Sequence, residues 1–207
     1  LTLSDVILIR RGSQARVSAS GGGQYEQRLV LDLAGAPFSF TRGFAWADIT
    51  VGAATFRFVT THLESQSAEV AKAQADELLA NPVLGIDRAV VLVCDCNSDP
   101  SDAEVQAGEG VPGSAAYTTL TGGGFDDQWL QQEAPAPGFT SGLGELVNDT
   151  TADGFQHRLD LVLARAGEGS VGFTEAHVTG AALTDRDPPT GLWPSDHAGV
   201  VAGLRVR

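Results

Sequence analysis

The chain has 207 residues, of which 43% are hydrophobic, so it can bury the core of one large domain. No stretch approaches the roughly 18 consecutive apolar residues of a membrane-spanning helix, and we expect a soluble protein. The formal net charge of -13 comes from 26 acidic and 13 basic residues, and Lys72 is the single lysine. The negative electrostatic potential of such a chain repels polyanions and disfavours nucleic-acid binding through a basic patch. A bound cation would neutralise part of that negative charge at its own site.

The N-terminal part of the chain has the pattern of short β-strands separated by turn signals. We predict turns at Gly12, at the run Gly21-Gly22-Gly23 and at Gly35-Ala36-Pro37, and a hairpin turn at Val51-Gly52-Ala53-Ala54. The strands predicted between them are Val6–Ile9, Arg28–Leu33, Trp46–Val51 and Thr55–Thr61.

A helix is predicted after His62, where the period of the apolar residues changes. Ser65 is the predicted N-cap, and Asn81-Pro82 ends the helix. Its apolar positions fall on one face, at Ala71, Ala75, Leu78 and Leu79.

The rest of the chain predicts a mixed α/β domain that spans residues 1–207. Ala89–Val93 is continuously apolar and favours a strand buried on both faces. The other predicted elements are helices at Ser101–Gln106 and Ser114–Leu120, loops at Gly122-Gly123-Gly124 and Glu133–Gly144, and strands at Leu159–Ala164, Thr174–Val178 and Ala198–Val206.

The two cysteines, Cys94 and Cys96, lie two residues apart on a predicted strand and therefore on one face. We interpret them as small apolar core residues rather than as a redox or metal-binding pair. Positions i and i+2 of a strand are poorly placed for a disulfide.

Short polar side chains stand at the ends of four of the predicted apolar strands, where a rigid sheet can hold them at the mouth of a pocket. They are His62, Asp95 with Asn97, Asp160 and His197. Together they form a set suited to hydrolysis of a phosphoester with a divalent metal. Asp160 and His197 can form a carboxylate–imidazole pair, which fixes the tautomer of the ring and raises its basicity.

Each of these motifs also has a purely structural interpretation. Asn97 begins a sequence that is typical of a turn, and Asp196-His197 fits a capped loop. Arg158 and Asp160 share a strand face, where a structural salt bridge is expected. His62 fits a histidine at the edge of the core.

The order of the motifs resembles that of the endonuclease/exonuclease/phosphatase superfamily, which includes DNase I-like nucleases, sphingomyelinases and inositol-polyphosphate phosphatases. The matching segments are Val59–Glu64, Val91–Pro100, Gly124–Trp129, Arg158–Leu163 and Trp193–Val200. The resemblance implies an α/β (α+β) fold of the DNase I-like type, a four-layered sandwich of two mainly antiparallel β-sheets flanked by helices.

The resemblance also implies a role for each matching residue. His62 would contact the scissile phosphate, Asp95 would position or deprotonate the attacking water, and Asn97 would hold that water and a phosphate oxygen. Asp160 would orient His197, which acts as general base or as electrostatic stabiliser of the transition state.

The implied cofactor is Mg²⁺ or Mn²⁺, with Ca²⁺ as a further candidate. Its ligands would be Asp196, Asp95 and Asn97. Asp127 and Trp129 are interpreted as packing and strand-linking residues.

The N-terminal strand and the metal-binding glutamate of the superfamily have no recognisable counterpart here, and Glu26 is a poor substitute. We therefore expect an incomplete domain, lacking its N-terminal part. This chain alone could be inactive, and its exposed apolar sheet surface would be covered by the missing part or by self-association.

The expected function is divalent-metal-dependent phosphoester hydrolysis, by a phosphodiesterase or nuclease in which water attacks in line. The alternative is a catalytically inactive binding or scaffold domain of the same fold, lacking the metal-binding glutamate. The expected substrate is nucleic acid or a small phosphodiester. Low lysine with abundant Ala, Gly and Asp suggests a bacterial gene, and we favour a secreted location over a cytoplasmic one.

Overall fold

The computed structural model describes residues 4–207. Across these residues the strands are β1 Arg16–Gln24, β2 Leu29–Leu33, β3 Ala36–Phe40, β4 Gly43–Val51, β5 Ala54–His62, β6 Val90–Asp95, β7 Asp126–Asp127, β8 Asp160–Arg165, β9 Val171–Thr179 and β10 Gly199–Val206. The α-helices are α1 Ala68–Ala80 and α2 Ala115–Gly122, and single 3₁₀ turns lie at Trp129–Gln131 and Leu183–Asp185.

Six of the strands form the central sheet, in the order β1-β4-β5-β6-β8-β7. Its neighbours are antiparallel except for β5 and β6, which are parallel because α1 connects them as a crossover. The β4–β5 hairpin turns where predicted: Val51 pairs with Ala54, and Gly52 supplies the positive φ of 60° that the turn requires. β9 pairs with β10, and β2 with β3, in separate two-stranded sheets.

One face of the central sheet is covered by the two helices. Fully buried Val59, Leu92 and Leu163 of the sheet belong to one core with Leu78 of α1 and Leu120 of α2. Val90 and Leu92 of β6 are buried on this face, while on the opposite face Val91 is buried and Val93 is half-buried, so the prediction of a strand buried on both faces is confirmed at these positions.

Helix α1 begins two residues later than predicted. Its N-cap is Ser67, whose hydroxyl accepts a hydrogen bond from the Val70 N–H, and not Ser65. The Ser65 hydroxyl instead accepts a hydrogen bond from Arg42, and its N–H donates to the Glu64 carboxylate. The helix ends before Asn81-Pro82, as predicted.

The opposite face of the central sheet meets β10, which crosses β5 and β8. An apolar groove of about 630 Å³ runs between them, lined by Phe56, Phe58, Val93 and Val162 from the sheet and by Leu204 from β10, among others. The layers in residues 4–207 are thus the helices, the six-stranded sheet and the two-stranded sheet of β9 and β10. The mixed α/β fold class is confirmed.

Two predicted elements are wrong. Val6–Ile9 has no regular secondary structure, because none of the described strands pairs with it. Ser101–Gln106 is not helical, since the Asp99 carboxylate accepts hydrogen bonds from the N–H and hydroxyl of Ser101 and forms a local turn instead.

One predicted turn lies within a strand, and another is shifted by one residue: the turn predicted at Gly35-Ala36-Pro37 is formed by Ala34 and Gly35, which connect β2 to β3. Gly21, Gly22 and Gly23 belong to β1, where a Cβ at Gly21 would lie 2.9 Å from the Trp46 ring and one at Gly23 2.8 Å from the Phe44 ring. The aromatic rings of β4 therefore occupy the space that side chains would need. Ala36 and Pro37 begin β3, whose single partner among the described strands is β2, and such an edge position tolerates proline.

No helix in the described part of the chain combines the length and the apolar character needed to cross a membrane.

Candidate active site

Three of the predicted site residues lie side by side at one end of the central sheet. In the strand register His62 of β5 pairs with Asp95 of β6, and Asp95 pairs with Asp160 of β8. Residues paired in this way project from the same face of a sheet. The His62 Nε2 atom lies 3.3 Å from Asp95 Oδ2. The strand register therefore places the His62 imidazole and the carboxylates of Asp95 and Asp160 next to one another, in an arrangement that we call the row.

His197 completes this row from a separate segment, just before β10. Its Nδ1 atom lies 2.8 Å from Asp160 Oδ2 and 4.0 Å from Asp95 Oδ2. The neighbouring Ala198 N–H donates to the Thr140 carbonyl at 2.7 Å. The ligand atoms of Asp95, Asp160 and His197 all lie within 4.8 Å of one another.

Thr140 and Ser141 hold this arrangement together, and the sequence analysis missed both of them. The hydroxyl of fully buried Thr140 accepts hydrogen bonds from the N–H groups of Leu159 and Asp160, each at 3.2 Å. Ser141 Oγ lies 3.0 Å from His197 Nε2. Both residues stand in the loop predicted at 133–144, and nothing in their local sequence distinguishes them from ordinary loop residues.

Asn97 follows β6 with a left-handed φ of 44°, which asparagine tolerates better than most residues. Its N–H donates to Asp95 Oδ1 at 3.1 Å, and its Nδ2 donates to the Leu63 carbonyl at 3.0 Å. The turn interpretation of Asn97 is therefore confirmed, and the turn places its side chain next to Asp95.

Cys94 and Cys96 are joined by a disulfide, so the prediction of two unbonded core residues is wrong. Their Cα atoms are 5.0 Å apart, whereas two residues of fully extended chain span about 6.6–7.2 Å. The strand ends at Asp95 and the chain turns at Asn97, and this contraction brings the sulfur atoms together. The prediction that both side chains are buried is confirmed.

Asp196 is exposed and stands beside the row rather than in it. Its Oδ1 accepts a hydrogen bond from Ser195 Oγ at 3.2 Å, and Ser195 Oγ in turn accepts one from the His197 N–H at 3.1 Å. The Asp196 carboxylate is one of three, with those of Asp160 and Asp95, that raise the pKa of His197.

The electrostatics of the row distinguish its two histidines. The hydrogen bond with Asp160 raises the pKa of His197 from 6.5 to about 9, against the opposing effect of burial. Burial lowers the pKa of His62, in spite of the nearby Asp95 carboxylate. Burial also raises the pKa of Asp95. The raised pKa of His197 favours its protonated form at neutral pH, in which both ring nitrogens carry a proton.

Arg42 is a third residue that the sequence analysis missed, because a single arginine outside a motif gives no signal. With His62 and Phe44 it lines a cavity of about 370 Å³. Its Nη2 donates to Ser65 Oγ at 3.3 Å, and its Nε lies 3.8 Å from Glu64 Oε2. Neither Arg42 Nε nor Glu64 Oε2 has a hydrogen-bond partner among the described residues.

Arg158 forms its salt bridge with Asp127, at 2.7 Å, and not with Asp160. The Asp127 carboxylate also accepts hydrogen bonds from the Tyr117 hydroxyl and the Trp129 N–H. These contacts agree with the interpretation of Asp127 and Trp129 as packing and linking residues, and they leave Asp160 available to His197.

No family model matches the sequence, and neither does any of the curated proteins compared with it. Solved structures do match. An endonuclease/exonuclease/phosphatase from Bacteroides vulgatus is 17% identical with a TM-score of 0.65, covering 94% of this chain and 67% of its own. A mannosyl-6-phosphatase from Bacteroides thetaiotaomicron is 16% identical with a TM-score of 0.60, covering 93% and 67%.

A third similar structure is D. rerio TDP2 complexed with a single-strand DNA product, which is 14% identical with a TM-score of 0.58, covering 93% of this chain and 69% of its own. The chain thus spans about two thirds of the length of these proteins. The chain has the fold of the endonuclease/exonuclease/phosphatase superfamily, and the resemblance is confirmed at that level.

Proposed function

We propose that this protein is a divalent-metal-dependent phosphoester hydrolase in which water attacks phosphorus in line with the leaving group. The observation that carries the proposal is the row His62–Asp95–Asp160, fixed by the register of three adjacent strands and completed by His197. Such a row delivers a proton acceptor and hydrogen-bond donors to one point at the edge of a rigid sheet. The names of two similar structures, a phosphatase and a protein with a DNA product, support phosphoester chemistry.

Each residue of the row has a proposed task. Asp95 accepts the proton of the attacking water, and Asn97 holds that water and a phosphate oxygen. His62 donates a hydrogen bond to a phosphoryl oxygen, where negative charge develops. The Nε2–H of His197, whose nitrogen lies 3.0 Å from Ser141 Oγ and is not engaged by Asp160, donates to another phosphoryl oxygen. Asp160 orients His197 through the 2.8 Å contact with Nδ1. The oxygen of water ends on phosphorus, and the leaving group departs with the electrons of the broken P–O bond.

The residues present fit a divalent cation. Three carboxylates, those of Asp95, Asp160 and Asp196, act on one imidazolium, so negative charge is in excess, and carboxylate oxygens are the ligands that Mg²⁺ and Mn²⁺ prefer. We propose Asp196, Asp95 and Asn97 as the ligands. When bound, such a cation supplies positive charge to the phosphoryl group and the leaving oxygen.

We propose a small phosphoester or phosphodiester as the substrate, in preference to a long nucleic acid. The formal net charge is -13, and Lys72 is the single lysine, so little positive charge can follow a polyanionic backbone. We also propose a secreted location, because the Cys94–Cys96 disulfide fits an oxidising compartment.

The test is hydrolysis of bis(p-nitrophenyl) phosphate with Mg²⁺ or Mn²⁺, with and without EDTA, followed by the same assay on single-stranded DNA. We expect activity that EDTA abolishes and that favours the small diester. His197→Gln is expected to lower kcat by about 100-fold or more, the range seen when a donor to a developing oxyanion is removed.

His177→Gln is the matched control, since His177 is exposed on β9 and stands outside the row; it is expected to retain activity. A metal-dependent rise in melting temperature provides a second readout of cation binding. Absence of hydrolysis together with absence of any metal-dependent shift would refute the proposal and favour a binding domain.

A further inference from the structure

The disulfide between Cys94 and Cys96 brackets Asp95, the central carboxylate of the row. Cys94 and Cys96 are 6% and 0% exposed and belong to the core beneath the helices. Because side chains alternate along a strand, the Asp95 carboxylate projects to the opposite side, toward His62 and His197. The cross-link therefore lies directly behind the carboxylate.

The same cross-link contracts the backbone where β6 ends. The Cα atoms of the two cysteines are 5.0 Å apart, which is shorter than the roughly 6.6–7.2 Å of extended chain. The next residue, Asn97, has a φ of 44° and makes hydrogen bonds to both Asp95 and Leu63. The direction of the chain at Asn97, after β6 ends, thus depends on the conformation of Cys94-Asp95-Cys96, which the disulfide closes.

We propose that the Cys94–Cys96 disulfide is a positioning cross-link, which holds Asp95 and Asn97 in their orientation at the active site. The inference rests on the proposed hydrolase function. The bond forms when both thiols lose a proton and together give two electrons to a disulfide oxidant, such as oxidised glutathione, which is reduced to two thiols. The two sulfur atoms of the disulfide lie in the core and do not contact the reacting atoms.

A cross-link that served only stability would be poorly placed here. The entropy that a disulfide removes from the unfolded chain increases with the length of the loop it closes, and a single residue separates these cysteines. The structure therefore predicts that its loss changes the geometry of the site more than the melting temperature.

The first test determines whether the bond exists and affects Asn97, independently of any activity. Intact mass under non-reducing conditions is expected to be lower by two hydrogens than after reduction. In NMR spectra of the oxidised protein, the Asn97 side-chain amide protons are expected to exchange slowly with water, because Nδ2 donates to the Leu63 carbonyl. Reduction is expected to accelerate this exchange. Two free thiols in the purified protein, or exchange that is unchanged by reduction, would overturn the proposal even if no substrate is hydrolysed.

The second test uses the hydrolysis of bis(p-nitrophenyl) phosphate. The Cys94→Ala/Cys96→Ala double variant is expected to lose about 10- to 100-fold in kcat, the scale of a misplacement near 1 Å, with little change in KM. Cys94→Ala alone is expected to match it. Wild-type protein refolded under reducing conditions is expected to show the same loss and to recover on reoxidation, which the alanine variants cannot do. Equal kcat for the oxidised and reduced wild type would overturn the positioning role, whereas an inactive oxidised protein would contradict the proposed function instead.

Discussion

Replacing Asp160 with asparagine removes one charge from the row while keeping the size of the side chain. The hydrogen bond with Asp160 is the largest cause of the raised pKa of His197, about 9 against an ordinary 6.5. Burial lowers that pKa, while Asp95 and Asp196 continue to raise it. In Asp160→Asn these remaining effects oppose each other, and we expect His197 to titrate near its ordinary value.

The size of the effect follows from the two pKa values. At roughly 1.4 kcal/mol per pKa unit, the difference between about 9 and 6.5 corresponds to about 3 kcal/mol. Because the folded state holds the proton more tightly than the unfolded state, this contribution to the free energy of unfolding is fully present below pH 6.5 and is lost as pH rises through about 9. The stability advantage of the wild type over Asp160→Asn should shrink across that interval.

The assay is an NMR titration of the histidine Cε1–H resonances in metal-free protein, with His197→Gln to assign the signal. Urea unfolding of the wild type and Asp160→Asn at pH 6 and pH 9.5 measures the stability difference. His177→Gln controls for effects of removing any histidine. A wild-type His197 that titrates near 6.5, or a His197 titration unchanged by Asp160→Asn, would refute the reasoning.

Two further predictions concern buried contacts that support the sheet and the site. Asp48→Asn removes the negative charge and one of the two acceptors of the 2.8 Å hydrogen bonds from Arg57, and it should cost about 3 kcal/mol, or roughly 6–12 °C in Tm. The hydrogen bond with Arg57 lowers the pKa of Asp48 from 3.8. The difference in Tm between the wild type and Asp48→Asn should therefore be fully present above pH 3.8 and vanish at lower pH. Thermal melts from pH 2 to 7 in which this Tm difference stays constant would contradict the prediction. Thr140→Val removes the acceptor for the Leu159 and Asp160 N–H groups and should lower kcat by about 10-fold; unchanged hydrolysis of bis(p-nitrophenyl) phosphate would argue against a supporting role.

The sequence was sufficient to locate the residues at the strand ends, because their signal is local. An apolar run that ends at His62 or Asp95, or that begins directly after His197, marks both the strand and the place where it starts or stops. The strand register that aligns His62, Asp95 and Asp160 followed only from the structure, since pairing depends on partners distant in the chain.

The elements that the sequence analysis missed depend on neighbours far along the chain. Gly21 and Gly23 signal a turn when considered alone, yet they lie in a strand because the Trp46 and Phe44 rings cover them. Thr140 supports Asp160 through main-chain N–H groups, for which no side-chain pattern exists. The Cys94–Cys96 disulfide forms because the chain bends after Asp95. The i, i+2 spacing of an ideal strand, from which no disulfide is expected, does not contain this bend.

The division of the sheets has a consequence for how the protein responds to heat. His62, Asp95 and Asp160 belong to the six-stranded sheet, but His197 precedes β10, which is hydrogen-bonded to β9 in a separate two-stranded sheet. A two-stranded ribbon opens at a lower free energy than a buried six-stranded sheet, so it forms a cooperative unit of its own. Amide protons of β9 and β10 should therefore exchange before those of β6. On heating, His197 would then leave the row before the whole protein unfolds. The highest temperature at which the site stays assembled would be set by the two-stranded sheet of β9 and β10.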